Sequence, residues 1–516
     1  MNGVHTHFLA IDWAVLAAYL ALTTWIGHRL RGQQATISDF FLAGRSLPWP
    51  AVAGSIVATE ISALTFVGVP GLVFAAKGDF TYLQWGIGSI IARFIVGIYF
   101  VKVFYERGIF SPYDYMESRL GRGTRVLTTC LFFVGSILGQ SVRLLVTALI
   151  LRVVTGLPFE LCVGIIGIFA VVWTLMGGMT TVIWTDVIQF FVFVGSGLLA
   201  AGILVATISG GLPEFLKVAG EAGKLRVIDL SMQPDVQFTL WVGLLAMPFQ
   251  NLAAFATDQL NAQRMFCCRS PGDASKAIIA SSASLLITVL MLFVGAGLYV
   301  YYTQHPPTPA EAAIFGKDPD TVFPVWITTV IPPGLTGLIL AGAFAAAISS
   351  LDSALAALSQ TSLSLIHGRK GFDSVDQLLL VRQSRIAVVC WGLALVATAI
   401  GLQLIRSGMD LISLAFGMVT YTYGPLLGAF LLAISPLRRD VRGIWIGAVL
   451  SILLTLWIRP DVYNLLSSFG LLTPETAASL RPKLSFAWLY PVTCLLTLGC
   501  GVLFGRVRPA ENTSPR

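Results

Sequence analysis

About thirteen windows of roughly 20 predominantly apolar residues follow one another along this chain, separated by short polar loops. That pattern leaves few folds open. Inside a bilayer every backbone N–H and C=O must find its partner within the protein, so runs of this length become helices packed side by side. The sequence therefore predicts an all-α integral membrane protein with the lipid bilayer as its surroundings. Composition agrees, since 11% of the 516 residues are charged, against about 25% in an ordinary soluble domain. The net charge of +7 does not point to nucleic acid, because the basic residues sit in short loops between apolar runs. Roughly two-thirds of the 33 Lys and Arg fall in alternate loops, which predicts the N-terminus outside and the C-terminus inside a multi-pass cell membrane. Arg264 is counted among these loop residues. The opening MNGVHTH has no basic run, so no cleavable signal peptide is expected. The seven cysteines form no CxxC pair and read as small buried side chains.

Two spans carry residues that a purely structural membrane helix would not. The second, near 47–76, contains SIVATEISALTFVGVPG, with Glu60, several hydroxyls and Val-Pro-Gly. The seventh, near 238–263, contains MPFQNLAAFATDQLNAQRMF, with Pro248 and a polar run that includes Asn251 and Asp258. They lie five spans apart. Interrupted helices at matching positions of two five-helix halves point to a transporter built from inverted repeats, whose unwound segments line a central site. The Pro-Gly pair and the small residues are expected to let the second span unwind. The resulting organisation is an extra helix and loop at 1–46, a first repeat at 47–209, an extracellular connection at 210–237, a second repeat at 238–435, and two further helices with a short tail at 436–516.

Three other positions carry chemistry. In AGAFAAAISSLDSALAALSQ, Ala346, Ser349, Ser350 and Ser353 share one helical face. Such a face serves either close helix packing through small residues or a sodium ion, which needs several oxygen ligands. Asp186 lies within an apolar span and requires a cation or an internal partner. Arg143 faces the same requirement with opposite sign: it either pairs with a carboxylate or binds an anionic substrate. Arg93 reads as an arginine that pairs with an acid or reaches toward the membrane surface.

The stretches VATEISALTFVGVPG, GGMTTVIWTDVIQ, ATDQLNAQR and AAAISSLDSAL resemble the sodium:solute symporter family, over roughly residues 10–435. The resemblance implies a LeuT-type fold with two inverted five-helix repeats, one helix before them and two after. It also implies a shared sodium site at the carbonyls of Ala58, Ile61 and Ala346 and the hydroxyls of Ser349 and Ser350. A further sodium, present in some members, falls on Asp186, Ser349, Asp352 and Ser353. The pocket motifs resemble those of the bacterial sialic acid transporters most closely. This places Ser62, Thr65, Phe80, Gln84 and Arg143 around the substrate, with Asn251 and Phe255 at neighbouring positions. Glu60 is left with three roles: balancing sodium, contacting a substrate ammonium, or pairing with Arg143.

The expectation is a sodium-coupled symporter that imports a small organic solute by alternating access, with Na+ as the coupling ion. The solute is expected to bear a carboxylate, as a sialic acid, sugar acid or monocarboxylate does; a neutral sugar or a proline-like amino acid is the alternative. No P-loop, HExxH, GxSxG or paired-cysteine motif is present, so the chain is not expected to be an enzyme. A sensor or uncoupled channel on the same fold is the other class. The short tail after the last span carries no kinase or receiver domain.

Overall fold

The structure is a computed structural model. It describes residues 8–29, 42–106, 111–176, 179–374, 377–406, 409–437 and 439–507. Among the described residues the chain is helical, with two isolated bridges and no strand. Among the described residues ten helices are long and apolar enough to cross a bilayer, or up to twelve spans if each bent pair counts once. The seventh expected span appears as the shorter apolar helix Val242–Thr257, which resumes as Gln259–Phe266. Arg442–Ile458 and Pro460–Ser468 form a second bent pair, at 60°, which the sequence did not announce. Of the basic residues counted for the orientation of the chain, Arg31, Arg107, Arg438, Arg508 and Arg516 lie outside the described residues.

Leu335–Gly368 is the central helix. Its most apolar window is 94% buried, whereas that of the N-terminal helix Ala10–Arg29 is 22% buried. Its many small residues, Gly, Ala and Ser, let neighbouring helices pack closely around it. Gly342 lies so close to the helix Met179–Thr207 that a Cβ there would stand 2.4 Å from Ser196 Oγ. Small side chains at a membrane interface let backbones approach in this way.

One end of the central helix is held from the N-terminal helix. The buried Asp12 carboxylate accepts from the backbone N–H groups of Gly334 and Gly337, at 2.7 Å each, and from Leu9 at 2.9 Å. The first N–H groups of a helix have no intrahelical acceptor, and a carboxylate there also meets the positive end of the helix dipole. Gly337 makes the approach feasible, since a Cβ would lie 2.7 Å from Asp12 Cα.

The connection after the first repeat is fastened by a buried lysine. Lys224 Nζ donates to the carbonyls of Val73 at 2.9 Å and Ala75 at 2.6 Å. It also stands 4.6 Å from the Tyr299 ring centroid. It thereby caps the C-terminus of the helix Ala63–Phe74, where carbonyls are left over. Burial lowers its pKa to about 8.

Candidate functional site

The second span is broken, with an angle of 54° between Trp49–Glu60 and Ala63–Phe74. Ile61 and Ser62 adopt extended backbone angles, and Ser62 Oγ accepts from Leu64 N–H at 3.3 Å, starting the next helix. This corrects the expectation that Pro-Gly unwinds the span. Pro70 lies inside the second half-helix. Gly71 serves close packing, because a Cβ there would sit 2.6 Å from Asp320 Cα. The seventh span breaks by the same device. Asp258 is extended, and its carboxylate accepts from Leu260 N–H at 2.9 Å.

Beside the first break lies a small cavity of about 10 Å³, walled by Ala58, Ile61, Ala346 and Ser349 together with Gln189, Phe190 and Phe193. That volume suits a single water-sized occupant. Four of the five residues expected at the shared sodium site thus come together. Ser350 is buried one residue further along but is not part of this wall, and its hydroxyl donates to Ala346 O and Ala347 O at 3.2 and 3.0 Å. Backbone carbonyls and hydroxyls are the donor types a hard cation prefers. Gln189 was not anticipated. It is buried, and neither polar atom of its carboxamide has a hydrogen-bond partner. Only its place one turn beyond Asp186 in DVIQFF could have signalled it.

The four residues assigned to a further sodium also converge, but around an internal cation. Asp186 accepts from Ser55 Oγ at 2.5 Å, Ser349 Oγ at 2.6 Å and Arg264 Nη2 at 3.1 Å. Arg264 also donates to Ser353 Oγ, to Ser55 Oγ at 2.9 Å and to Leu260 O at 2.7 Å. Of the two roles left open for Asp186, the structure shows the internal ion pair. Arg264 is therefore not a loop residue; it is 1% exposed, in the last turn of Gln259–Phe266. Asp352 adds a second buried carboxylate. One of its oxygens accepts from Ser353 Oγ at 3.1 Å and the other has no partner.

A larger cavity of about 170 Å³ lies on the other side of the break. Glu60, Ser62, Thr65, Arg143, Asn251 and Phe255 line it as expected. Phe80 and Gln84 do not, which corrects their assignment. They flank a short turn at Thr81–Gln84 that is tied to the connection after the first repeat. Phe80 N–H donates to Arg226 O at 3.0 Å. Gln84 donates to Phe238 O at 2.9 Å and accepts from Asp229 N–H at 3.2 Å, so its carboxamide is fully engaged outside the cavity. Tyr82 and Trp85 line the wall in their stead, joined by Gln140, Asn261 and Tyr423, none of which the sequence reading had placed there.

Of the three charged residues in this wall, Glu60 has an ion pair, while Asp258 and Arg143, among the described residues, have none. Glu60 pairs with Arg93 and not with Arg143. Arg93 also donates to Ser89 Oγ at 2.8 Å and lies 4.5 Å over the Phe255 ring. Asp258 accepts from Tyr423 Oη at 2.7 Å. Arg143 donates to Thr59 O at 2.7 Å and, among the described residues, makes no ion pair. A guanidinium in a cavity wall with donors to spare is the residue type suited to a carboxylate or another oxyanion.

The family model described as the sodium:solute symporter family matches residues 40–450. The chain is 28% identical over 453 residues to the sodium/sialic acid symporter SiaT of Proteus mirabilis (strain HI4320), covering 87% of this chain and 89% of that one. It is 28% identical over 467 residues to the human sodium-coupled monocarboxylate transporter 1, covering 89% of this chain and 74% of the relative. Among solved structures, the substrate-bound outward-open state of a Na+-coupled sialic acid symporter superposes with a TM-score of 0.81 at 25% identity, covering 96% of this chain and 98% of that one.

Proposed function

The chain belongs to the sodium:solute symporter family, a family of multi-pass membrane transporters, and from that premise we propose that it couples sodium entry to uptake of a carboxylate-bearing solute held by Arg143. The observation that carries this reading is a contrast among three arginines. Arg93 and Arg264 are each paired with a carboxylate, while Arg143 has no carboxylate at ion-pair distance, although Glu60 and Asp258 share its wall. An unpaired guanidinium in a protein wall is costly. An anionic substrate supplies the missing partner. Relatives named for sialic acid and for monocarboxylates both handle carboxylates. Glu60, the residue that would have favoured an amine, is occupied by Arg93.

The break itself connects ion to solute. Ala58 and Ile61 wall the small cavity, and between them Thr59 offers its carbonyl to Arg143. A sodium ion at the carbonyls of Ala58, Ile61 and Ala346 and the hydroxyls of Ser349 and Ser350 fixes this extended segment. Thr59 O then holds the guanidinium in place, and Ser62 and Thr65 are presented to the larger cavity. Since this is one coupling free energy, bound solute tightens sodium by the same factor. The gradient then drives accumulation through alternating access.

The test is thermal unfolding of the purified protein with carboxylates, neutral sugars and amino acids, each in sodium and in potassium. Carboxylates should stabilise the protein in sodium alone. Arg143→Ala should lose that shift while keeping the stabilisation by sodium itself. A carboxylate that protects Arg143→Ala as well as the wild type, or protection only by neutral solutes, overturns the assignment.

A further inference from the structure

Two half-helices, one from each break, are clasped together at their far ends. The chain enters Trp49–Glu60 through Leu47 and leaves Gln259–Phe266 through Cys267. Leu47 N–H donates to Cys267 O at 3.1 Å, Leu47 and Cys268 form a parallel bridge, and Arg269 Nε donates to Ser46 O at 2.8 Å. Tyr105 Oη donates to Met265 O at 2.8 Å and to Cys268 O at 3.1 Å. The clasp leaves the neighbouring thiols of Cys267 and Cys268 fully buried. Arg45 and Arg269 belong to the basic loops that assign this end to the inside. The segment that makes the clasp is bent against its own preference. Ala43, Gly44 and Arg45 have φ angles of 49°, 58° and 53°. Only glycine takes this left-handed region without crowding its Cβ against a carbonyl oxygen. Among the described residues, Ala43 and Arg45 are the only ones other than glycine that adopt it.

Such a conformation persists only where its surroundings over-determine it. Here Ser46 Oγ donates to Ala43 O at 2.8 Å, the Arg45 guanidinium lies 5.7 Å from the Tyr105 ring centroid, and Leu42, Ala43 and Leu47 are buried. None of these residues lines either of the two cavities, so neither ion nor solute binding accounts for the strain. We propose that Leu42–Leu47 is a sprung latch, which holds the two half-helices together at the inner end and lets go when the transporter opens inward. Strain confined to the closed arrangement makes that arrangement easier to leave, so the left-handed turn sets how often the inner end opens. Sodium acts on the same half-helix from its other end, because Ala58 and Ile61 wall the small cavity. An ion there favours the closed latch. The inference needs alternating access and sodium coupling but not the carboxylate reading of Arg143, so the two can fail separately.

The buried thiols supply the readout. Full-length protein is treated with N-ethylmaleimide, and alkylation is followed at each cysteine by peptide mass. Cys494, also buried but away from the clasp, reports any reaction through global unfolding. In the wild type, Cys267 and Cys268 should react at least about threefold faster in potassium than in sodium. Ala43→Gly removes the crowded Cβ and should slow both about fivefold in potassium. Ser46→Ala removes the hydroxyl that holds the turn and should speed both about fivefold. A turn with a purely structural role would show no dependence on sodium. Equal rates at Cys267 and Cys268 in the two salts, including no reaction in either, overturn the latch. So do rates that Ala43→Gly leaves unchanged or raises. If the sodium effect and the Ala43→Gly effect appear while no carboxylate stabilises the protein, the latch stands and the reading of Arg143 falls.

Discussion

Replacing Arg264 by glutamine tests what the cluster around Asp186 is built to hold. The substitution removes the positive charge that meets Asp186 at 3.1 Å and that also reaches Ser55, Ser353 and the Leu260 carbonyl. Asp186 keeps the Ser55 and Ser349 hydroxyls, so its charge stays buried with two hydrogen bonds and no counter-ion. Breaking a buried pair from one side costs about 3–5 kcal/mol, and the retained hydroxyls place this case near the lower end. The space vacated is lined by Asp186, Ser349, Asp352 and Ser353, whose oxygens suit sodium. A cation bound there at a hundred times its dissociation constant returns about 2.7 kcal/mol, most of the loss. Thermal unfolding of wild type and Arg264→Gln in sodium and in potassium reads this directly. The proposed shared sodium site should stabilise both proteins, so the informative quantity is the sodium-minus-potassium difference, which should be larger in the variant. The triple variant Asp186→Asn/Arg264→Gln/Asp352→Asn, which leaves neither carboxylate beside the vacated space, should return to the wild-type difference. An equal loss in the two salts would show that these four residues do not hold a cation when the arginine is gone, and would refute the reasoning.

Two further outcomes follow from groups that hold the helices around the site. Asp12→Asn exchanges a carboxylate that accepts three backbone N–H groups for an amide that accepts more weakly; it should cost about 1–3 kcal/mol and raise the sodium concentration for half-maximal uptake, and an unchanged sodium dependence would free the central helix from this anchor. Lys224, whose pKa burial lowers to about 8, binds its proton more weakly folded than unfolded. Its burial therefore penalises the folded state below about pH 8, and the penalty is relieved as pH rises toward the ordinary lysine value of about 10.4. The stability of the wild type relative to Lys224→Met should accordingly grow between those limits in a pH series of unfolding temperatures, and a flat difference contradicts the buried charge.

What the sequence made legible follows from what each kind of signal depends on. Span length and apolar content are local, so the helical membrane fold could be read directly. The serine face was legible because helical spacing places Ala346 and Ser349 on one side whatever packs against it. Partners of buried charges are different, because they depend on how helices are rotated against each other, and one residue turns the face by about 100°. Glu60 meets Arg93 across 33 residues and Asp186 meets Arg264 across 78. Nothing in either local pattern names the partner. Phe80 and Gln84 went astray for a related reason. Their positions matched a pocket motif, but the turn at Thr81–Gln84 is pulled toward the connection after the first repeat, and Tyr82 and Trp85 face the cavity in their place.

The misreading of Pro-Gly shows what a break in a membrane helix requires. Proline inside Ala63–Phe74 removes one N–H, yet the helix runs through it. Both observed breaks occur instead where a residue with a short polar side chain becomes the first cap of a new helix. Ser62 and Asp258 each take an extended conformation and accept from the N–H two residues on. In lipid an unwound backbone is tolerable only if its polar groups are met, and such a cap meets one of them while turning the chain. The halves on either side then have ends that face each other across the break. The first half ends in carbonyls that are left over, one of which serves Arg143, and the second begins with N–H groups that are left over. The carbonyl end of the first half therefore offers oxygens of the type a cation prefers, next to the one that holds the Arg143 guanidinium. A serine two residues from a glutamate inside an apolar span is thus a stronger sign of a binding site than a proline in the same span, because it supplies the cap that makes the break stable.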